Sequence, residues 1–339
     1  MSQMIDRLAV LGAGSWGTAY AKVLADAGRD VTLFARREPL ARAMAASRVN
    51  AEYLPGITLP DRISVTADLD KALVGVDAVV LAIPSQSLRE NLGIMRSAMP
   101  DSGPVVSLAK GIEIGTGLRM SQIIEQVGRV DPDRIVVLSG PNLAREIAQG
   151  QPTATVLASR SAASARAVAE ASASGYFRPF TITDVVGAEI AGTGKNVIAL
   201  AVGLADGLDF GGNTAASIVT RGLAELTRLG VALGAEQATF AGLAGLGDLV
   251  ATCSSPLSRN RSLGRRLGSG TAFDDAVAAG AGQVAEGVSS CRSLRDLARH
   301  HGVPMPITEG VYRVCYQHMP PQEMIRALMD APFAAEWAE

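Results

Sequence analysis

Apolar, β-branched runs recur through the first half of the chain at residues 8–11, 31–35, 78–83, 105–108, 135–138 and 155–158, with helical periodicity between several of them. Runs that are apolar at nearly every position and separated by helices describe a parallel sheet covered on both faces. A further run at 177–183 closes this part. Beyond it the pattern changes: 186–204, 215–233, 285–300 and 307–316 repeat at helical spacing, and β-branched runs become rare. Asp184 stands before the first of these as an N-cap. The chain therefore reads as α/β, with a doubly wound N-terminal unit over 1–184 and an all-helical C-terminal unit over 185–339. Neither an internal repeat nor a low-complexity segment is visible, and residues 331–339 are expected to fray.

The segment leaving the first run reads Gly12-Ala13-Gly14-Ser15-Trp16-Gly17, with a strand pattern before it and a helix pattern after it. Gly12 permits a tight turn, Gly14 lets backbone approach a pyrophosphate, and Gly17 lets the helix lie close to the strand. The free N–H groups and the positive end of the helix dipole then face the phosphates of a dinucleotide. The next strand ends in Arg36-Arg37, where NAD-preferring sites usually carry a carboxylate for the ribose 2′-OH. Two guanidinium groups suit a 2′-phosphate. The pattern favours NADP(H), with NAD(H) as the second choice because Glu38 follows at once. The plain alternative is a pair of solvated surface arginines.

Composition narrows the rest. A net charge of −2 over 339 residues, dispersed Lys and Arg, and 4% aromatics supply neither the basic field nor the stacking platforms that nucleic acid requires. Cys253, Cys291 and Cys315 lie far apart with no CxxC, which argues against a zinc site or a disulfide framework and fits a reducing cytosol. They read as core filler. No charged n-region precedes a cleavable apolar stretch. The most apolar long segment, 185–205, contains Glu189, Lys195 and several glycines. Neither a signal peptide nor a membrane span is expected. His300, His301 and His318 fall late in the chain and read as surface or packing residues.

In a doubly wound sheet, ligands bind beyond the carboxyl ends of the strands. That rim carries the glycine turn, Pro84-Ser85, Lys110-Gly111 and Ser139-Gly140-Pro141, which places the reaction site in the cleft facing the helical unit. Lys110 there is either a ligand cation or a strand-end surface lysine. In the helical unit, Lys195 stands alone in an apolar helix beside Gly192 and Gly194. Buried, it needs a partner and shifts toward a usable proton donor; otherwise it snorkels to solvent from the helix edge. The glycines beside it leave room for a ligand to approach. Asp248, after a glycine-rich turn, reads as an N-cap taken alone, and as an orienting partner if it meets Lys195. Ser258-Arg259-Asn260 forms either an anion cradle at a helix start or an ordinary capped helix with surface arginines.

Seven stretches occur in order over nearly the whole chain: GAGSWGTA (12–19), SLAKGIE (107–113), SGPNLAREIAQGQPTA (139–154), KNVIA (195–199), GLAGLGDLVATC (242–253), SRNRSLG (258–264) and VAEGV (284–288). Together they resemble the bacterial type of NAD(P)-dependent glycerol-3-phosphate dehydrogenase. The resemblance implies a Rossmann domain followed by a helical domain like the C-terminal one of 6-phosphogluconate dehydrogenases. It implies reversible reduction of dihydroxyacetone phosphate to sn-glycerol 3-phosphate, feeding glycerophospholipid synthesis in the cytoplasm. Cofactor contacts are implied at Ser15, Trp16, Arg36, Arg37, Lys110, Ala144, Arg259, Val284 and Glu286. Substrate contacts are implied at Lys110, Gly140, Asn142, Lys195, Asn196, Asp248, Ser258, Arg259 and Asn260. Lys195 matches the proton acceptor for glycerol 3-phosphate oxidation. A homodimer is expected because related enzymes often form one.

There are two departures from the family pattern. Asn142 stands where Ser is usual. Thr193-Gly194 replaces Ala and a larger residue, so looser helix packing is expected there. In the reductive direction the implied roles are proton donation by Lys195, stabilisation of the developing alkoxide by Lys110 and Asn196, orientation of Lys195 by Asp248, and phosphate binding by Arg259 and Asn260. The rival readings are another lysine-dependent Rossmann reductase, of β-hydroxyacid dehydrogenase or ketopantoate reductase type, and a non-catalytic NADP(H) sensor.

Overall fold

The computed structural model describes residues 4–280 and 285–329. Its N-terminal half is one eight-stranded sheet. The strands are β1 (Arg7–Leu11), β2 (Asp30–Phe34), β3 (Ile63–Thr66), β4 (Ala78–Leu81), β5 (Val105–Ser107), β6 (Ile135–Ser139), β7 (Thr153–Ala158) and β8 (Phe177–Ile182), in the order β3-β2-β1-β4-β5-β6-β7-β8. The first six run parallel. Every residue of β4, β5 and β6 is buried, because helices cover both faces; that is why the sequence there is apolar without alternation.

Two features differ from the sequence reading. The edge strand β3, Ile63-Ser64-Val65-Thr66, is short and half-solvated, so it leaves no continuous apolar run. And β7 pairs antiparallel with β6, with β8 parallel to β7. The β6–β7 connection carries one five-residue helix, Ala144–Ala148. At about 7.5 Å it is too short to cross the sheet, so the chain turns at the rim and returns antiparallel.

Helix α1 (Ser15–Asp26) leaves the glycine turn, and α2 (Glu38–Ser47) follows β2. The helical half is built around α3 (Val185–Gly207), in which residues 187–205 are all buried except Lys195. This helix is long and apolar enough to cross a membrane, but 83% of its apolar stretch is buried inside the protein. Asp184 caps it, its Oδ1 accepting from Gly187 N at 2.8 Å. Around it lie α4 (Gly212–Ala232), α5 (Asp248–Ser254), α6 (Arg259–Gly268), α7 (Glu286–His300) and α8 (Pro306–Gln317).

Glycines bring α3 and α6 into backbone contact. A Cβ on Gly203 would stand 2.1 Å from Arg261 O, and one on Gly264 2.1 Å from Leu200 O. This sets the first turn of α6 beside the middle of α3. The helix is tightly packed at Thr193-Gly194 as well, contrary to the expectation of looseness. Thr193 Oγ1 donates to Glu189 O at 2.7 Å, and a Cβ on Gly194 would stand 2.0 Å from Leu226 Cδ2.

The two halves are keyed together by Glu189. Its buried carboxylate accepts from Arg119 Nη1 at 2.5 Å, Ser121 N at 2.7 Å and Ser121 Oγ at 2.6 Å, capping the Met120–Gly128 helix of the sheet half. The three cysteines are buried and unpaired. His300, His301 and His318 are exposed. The C-terminal segment expected to fray lies outside the described residues.

Candidate active site

The glycine turn has the geometry its sequence requires. Gly12 has φ +123°, and a Cβ there would stand 2.3 Å from Ala82 O. A Cβ on Gly17 would stand 2.0 Å from Gly12 O, whereas nothing lies within 4 Å of one on Gly14. Gly14 is the N-cap of α1 and no side chain caps that end. Open space in front of uncapped helix N–H groups fits a pyrophosphate.

The loop after α2 folds against this turn. Buried Asn50 Nδ2 donates to Ala13 O at 2.9 Å and Thr18 Oγ1 at 2.8 Å, and Ser15 Oγ donates to Tyr53 O at 2.8 Å. Trp16 and Ala144 pack together with Ala19, Leu54 and Ala148, and the Trp16 indole Nε1 is buried without a partner. Arg36 is exposed and, among the described residues, makes no hydrogen bond or ion pair. Arg37 instead donates to both oxygens of Glu52 at 2.6 Å and to Tyr53 Oη at 3.3 Å. The Arg37 guanidinium holds the Glu52 carboxyl below its usual range. Glu38 pairs with Arg42 at 3.6 Å, one turn along its own helix.

On the rim beyond this turn, two lysines share one carboxylate. Lys195 Nζ, from α3, donates to Asp248 Oδ1 at 2.6 Å. Lys110 Nζ, from the end of β5, donates to Asp248 Oδ2 at 2.5 Å and to Gly140 O at 3.0 Å. Both lysine side chains are 11% exposed and Asp248 1%. Asp248 is not an N-cap. The chain passes from the π-helical turn Leu243–Gly247 straight into α5, so Asp248 is already helical and its side chain is free to turn inward. Burial pushes the Lys110 ammonium down to about 8, with Asp248 opposing the shift and Lys195 adding to it. The glycines next to Lys195 serve packing within the chain. A Cβ on Gly192 would stand 2.9 Å from Ser139 Oγ, so Gly192 is what lets α3 lie against the end of β6, while Lys110 Cδ, at 3.6 Å, would remain in ordinary contact.

The remaining candidates surround this pair. Gly140, φ +124°, turns its carbonyl toward Lys110. Both amide atoms of Asn142 are buried without a partner. Asn260 points inward: its Nδ2 donates to Asn196 Oδ1 and its Oδ1 accepts from Gly287 N, each at 2.9 Å, which leaves Asn196 Nδ2 buried and unpaired. Ser258 is the N-cap of α6, accepting from Arg261 N at 3.3 Å. Arg259, on the first turn, is exposed. Glu286 opens α7; burial raises its carboxyl, offset in part by Arg259, Lys195, Lys110 and the backbone of Ser85. Val284 lies outside the described residues. Among the described residues no group of three or more His, Cys, Asp or Glu could hold a metal ion.

Two features escaped sequence reasoning. Thr252 is buried and accepts from Lys195 Nζ at 2.9 Å; its spacing of one helical turn after Asp248 was the available signal. The Glu52–Tyr53 pair beside Arg37 left no signal, since a loop composition does not reveal where the loop folds.

A glycine turn built for a dinucleotide, sharing its sheet rim with two lysines on one buried carboxylate that faces a helical unit, defines a nicotinamide-dependent oxidoreductase of the Rossmann-plus-helical class. The chain belongs to the NAD-dependent glycerol-3-phosphate dehydrogenase family: the family's N-terminal region matches residues 7–165 and its C-terminal region residues 184–326. It is 58% identical over 329 residues to glycerol-3-phosphate dehydrogenase (NAD(P)+) of Corynebacterium glutamicum (strain R), covering 97% of this chain and 99% of that one. It is also 58% identical over 330 residues to the enzyme of that name from Nocardia farcinica, covering 96% and 98%. The crystal structure of glycerol-3-phosphate dehydrogenase from Coxiella burnetii superposes with a TM-score of 0.91 at 36% identity, over 96% of this chain and 99% of that one.

Proposed function

We propose that the chain interconverts dihydroxyacetone phosphate and sn-glycerol 3-phosphate with NAD(P)(H), and that the division at residues 184/185 separates cofactor binding from substrate binding. The observation that carries the reading is the Lys110–Asp248–Lys195 arrangement, whose Lys110 follows β5 on the same sheet rim as the dinucleotide turn. The uncapped N-terminus of α1 with Gly14, and Arg36, would hold the cofactor, which supplies the hydride when bound.

The chain's own residues supply the rest. Two ammoniums on one carboxylate leave a net positive centre, complementary to an oxygen that gains charge as a ketone becomes an alkoxide. Lys195 holds a proton at that oxygen and donates it, while Thr252 and Asp248 fix the Nζ position. Lys110, near its transition at neutral pH, stabilises the same oxygen. Asn196, tied by Asn260 through its Oδ1, keeps Nδ2 hydrogens free to donate to the substrate. Arg259 takes the phosphate, which is remote from the reacting carbon and serves to position it. Asn260 positions Asn196 with one Nδ2 hydrogen and keeps the other for the substrate phosphate beside Arg259. A homodimer, a cytoplasmic location and a supply role for glycerophospholipids belong to the same reading.

The test follows loss of reduced-nicotinamide absorbance with dihydroxyacetone phosphate, using unphosphorylated dihydroxyacetone as control. Fast turnover with the phosphate ester alone is expected. Binding of cofactor without turnover would overturn the substrate assignment.

A further inference from the structure

The sequence offers two arginines at the end of β2 as equal candidates for a 2′-phosphate. The fold makes them unequal. Gly12 N donates to Phe34 O at 3.1 Å, so both arginines follow directly from a strand end tied to the glycine turn. The loop around residues 50–53 is fastened to the same turn from its other side, through Asn50 to Ala13 and through Tyr53 O to Ser15. This brings Glu52 to Arg37, whose Nη2 lies 2.6 Å from each carboxylate oxygen and whose guanidinium stands 5.8 Å from the centre of the Tyr53 ring. Arg37 and Glu52 keep 52% and 47% of their side-chain surface exposed, so their pairing is open to exchange with a ligand from solvent.

We propose that Glu52 sets the cofactor selectivity of this site, acting as counter-anion to Arg37 against a 2′-phosphate and as acceptor for a ribose 2′-hydroxyl. The proposal rests on the nicotinamide-cofactor reading above and deepens it. A phosphate monoester of about −1.5 to −2 charge must either displace Glu52 from Arg37 or bind to Arg36 with a carboxylate close by. Both routes cost affinity through like-charge repulsion. A 2′-hydroxyl meets no such cost, because a carboxylate near the end of the second strand is the group that NAD sites use to accept its hydrogen bond. Here that carboxylate arrives from the following loop and not from the strand end. One site thereby serves both cofactors, with the arginines and Glu52 pulling in opposite directions.

The experiment is a calorimetric titration of the wild-type protein, Glu52→Gln and Arg37→Ala with NADP+ and with NAD+, without substrate, at low and high salt. Glu52→Gln is expected to raise the ratio of NADP+ to NAD+ affinity by about tenfold, through tighter NADP+ binding and equal or weaker NAD+ binding. The gain should shrink at high salt. Arg37→Ala should shift the ratio the other way. An unchanged ratio in Glu52→Gln overturns the proposal, as does an equal loss for both nucleotides, which would mean that Glu52 only holds the loop. If the wild-type protein binds neither nucleotide, the cofactor reading itself fails and the proposal falls with it.

Discussion

Lys195 Nζ donates to Asp248 Oδ1 across 2.6 Å, although the two residues are 53 positions apart and stand on different helices. Lys195 is the one residue between 187 and 205 on α3 that is not fully buried. It gains its position from the carboxylate and from Thr252, not from snorkelling away from the core. Lys195→Met keeps the bulk of the stem and removes the proton. We expect kcat to fall by about 10²- to 10⁴-fold with NADPH affinity nearly intact. Near-normal turnover in single-turnover kinetics would remove Lys195 from the proton-transfer role.

Lys110 is expected to set the alkaline limit of the proposed reaction. Its ammonium, lowered to about 8 by burial, must stay charged to stabilise a developing alkoxide. In ketone reduction, kcat/KM should therefore hold level below about 8 and decline above it. Asp248 is the charge that opposes the lowering. Asp248→Asn should move the limb toward lower pH and, by leaving two ammoniums without their anion, destabilise the fold by about 3–5 kcal/mol. An alkaline limb that stays in place in the Asn variant would assign it to another group.

Arg259 is exposed on the first turn of α6, while its neighbour Asn260 is turned inward to Asn196 and Gly287. The phosphate of the substrate should depend on the arginine. Loss of a charged hydrogen bond of about 1.5–3 kcal/mol predicts a rise of roughly 10- to 100-fold in KM for dihydroxyacetone phosphate in Arg259→Ala. Activity toward unphosphorylated dihydroxyacetone, which lacks that contact, should fall far less, by only what the implied cofactor contact of Arg259 contributes. Equal effects on both compounds would count against a phosphate contact.

Glu225 tests the helical half by itself. Buried on α4, it accepts from Ile307 N at 2.7 Å and from Thr308 N and Oγ1 at 3.3 Å, capping α8. Burial pushes its carboxyl up to about 7 against the opposing pull of those donors. The native state then binds more protons than the unfolded chain between about 4.3 and about 7, so this group's contribution is fully present below that window and is lost as pH rises through it. Scanning calorimetry should show the wild-type Tm declining across this range relative to Glu225→Gln, which cannot titrate. Parallel curves would show that Glu225 keeps its charge throughout.

The glycine turn was readable because its spacing is a contiguous motif, Gly12-x-Gly14-x-x-Gly17 between a strand pattern and a helix pattern, although the atoms that exclude a Cβ at Gly12 belong to Ala82 on a neighbouring strand. The long helices α3, α4, α7 and α8 were readable from period alone, and so were the buried parallel strands, since both signals are properties of contiguous residues. The Asp184 cap belongs with them, acting three residues away. What escaped was set by neighbours distant in sequence. The half-solvated β3 has no apolar run to announce it, and β7 reverses because the helix before it is too short to cross the sheet. Asp248 passes for a helix cap until α5 is packed against α3 and the β5 rim, where it meets two lysines 53 and 138 residues away. The pairing of Arg37 with Glu52, which leaves Arg36 alone to face a ligand, depends on where one loop comes to rest. Local chemistry dictates which elements form. Which charges share a desolvated space follows from packing, and the chemistry of the cleft depends on that sharing.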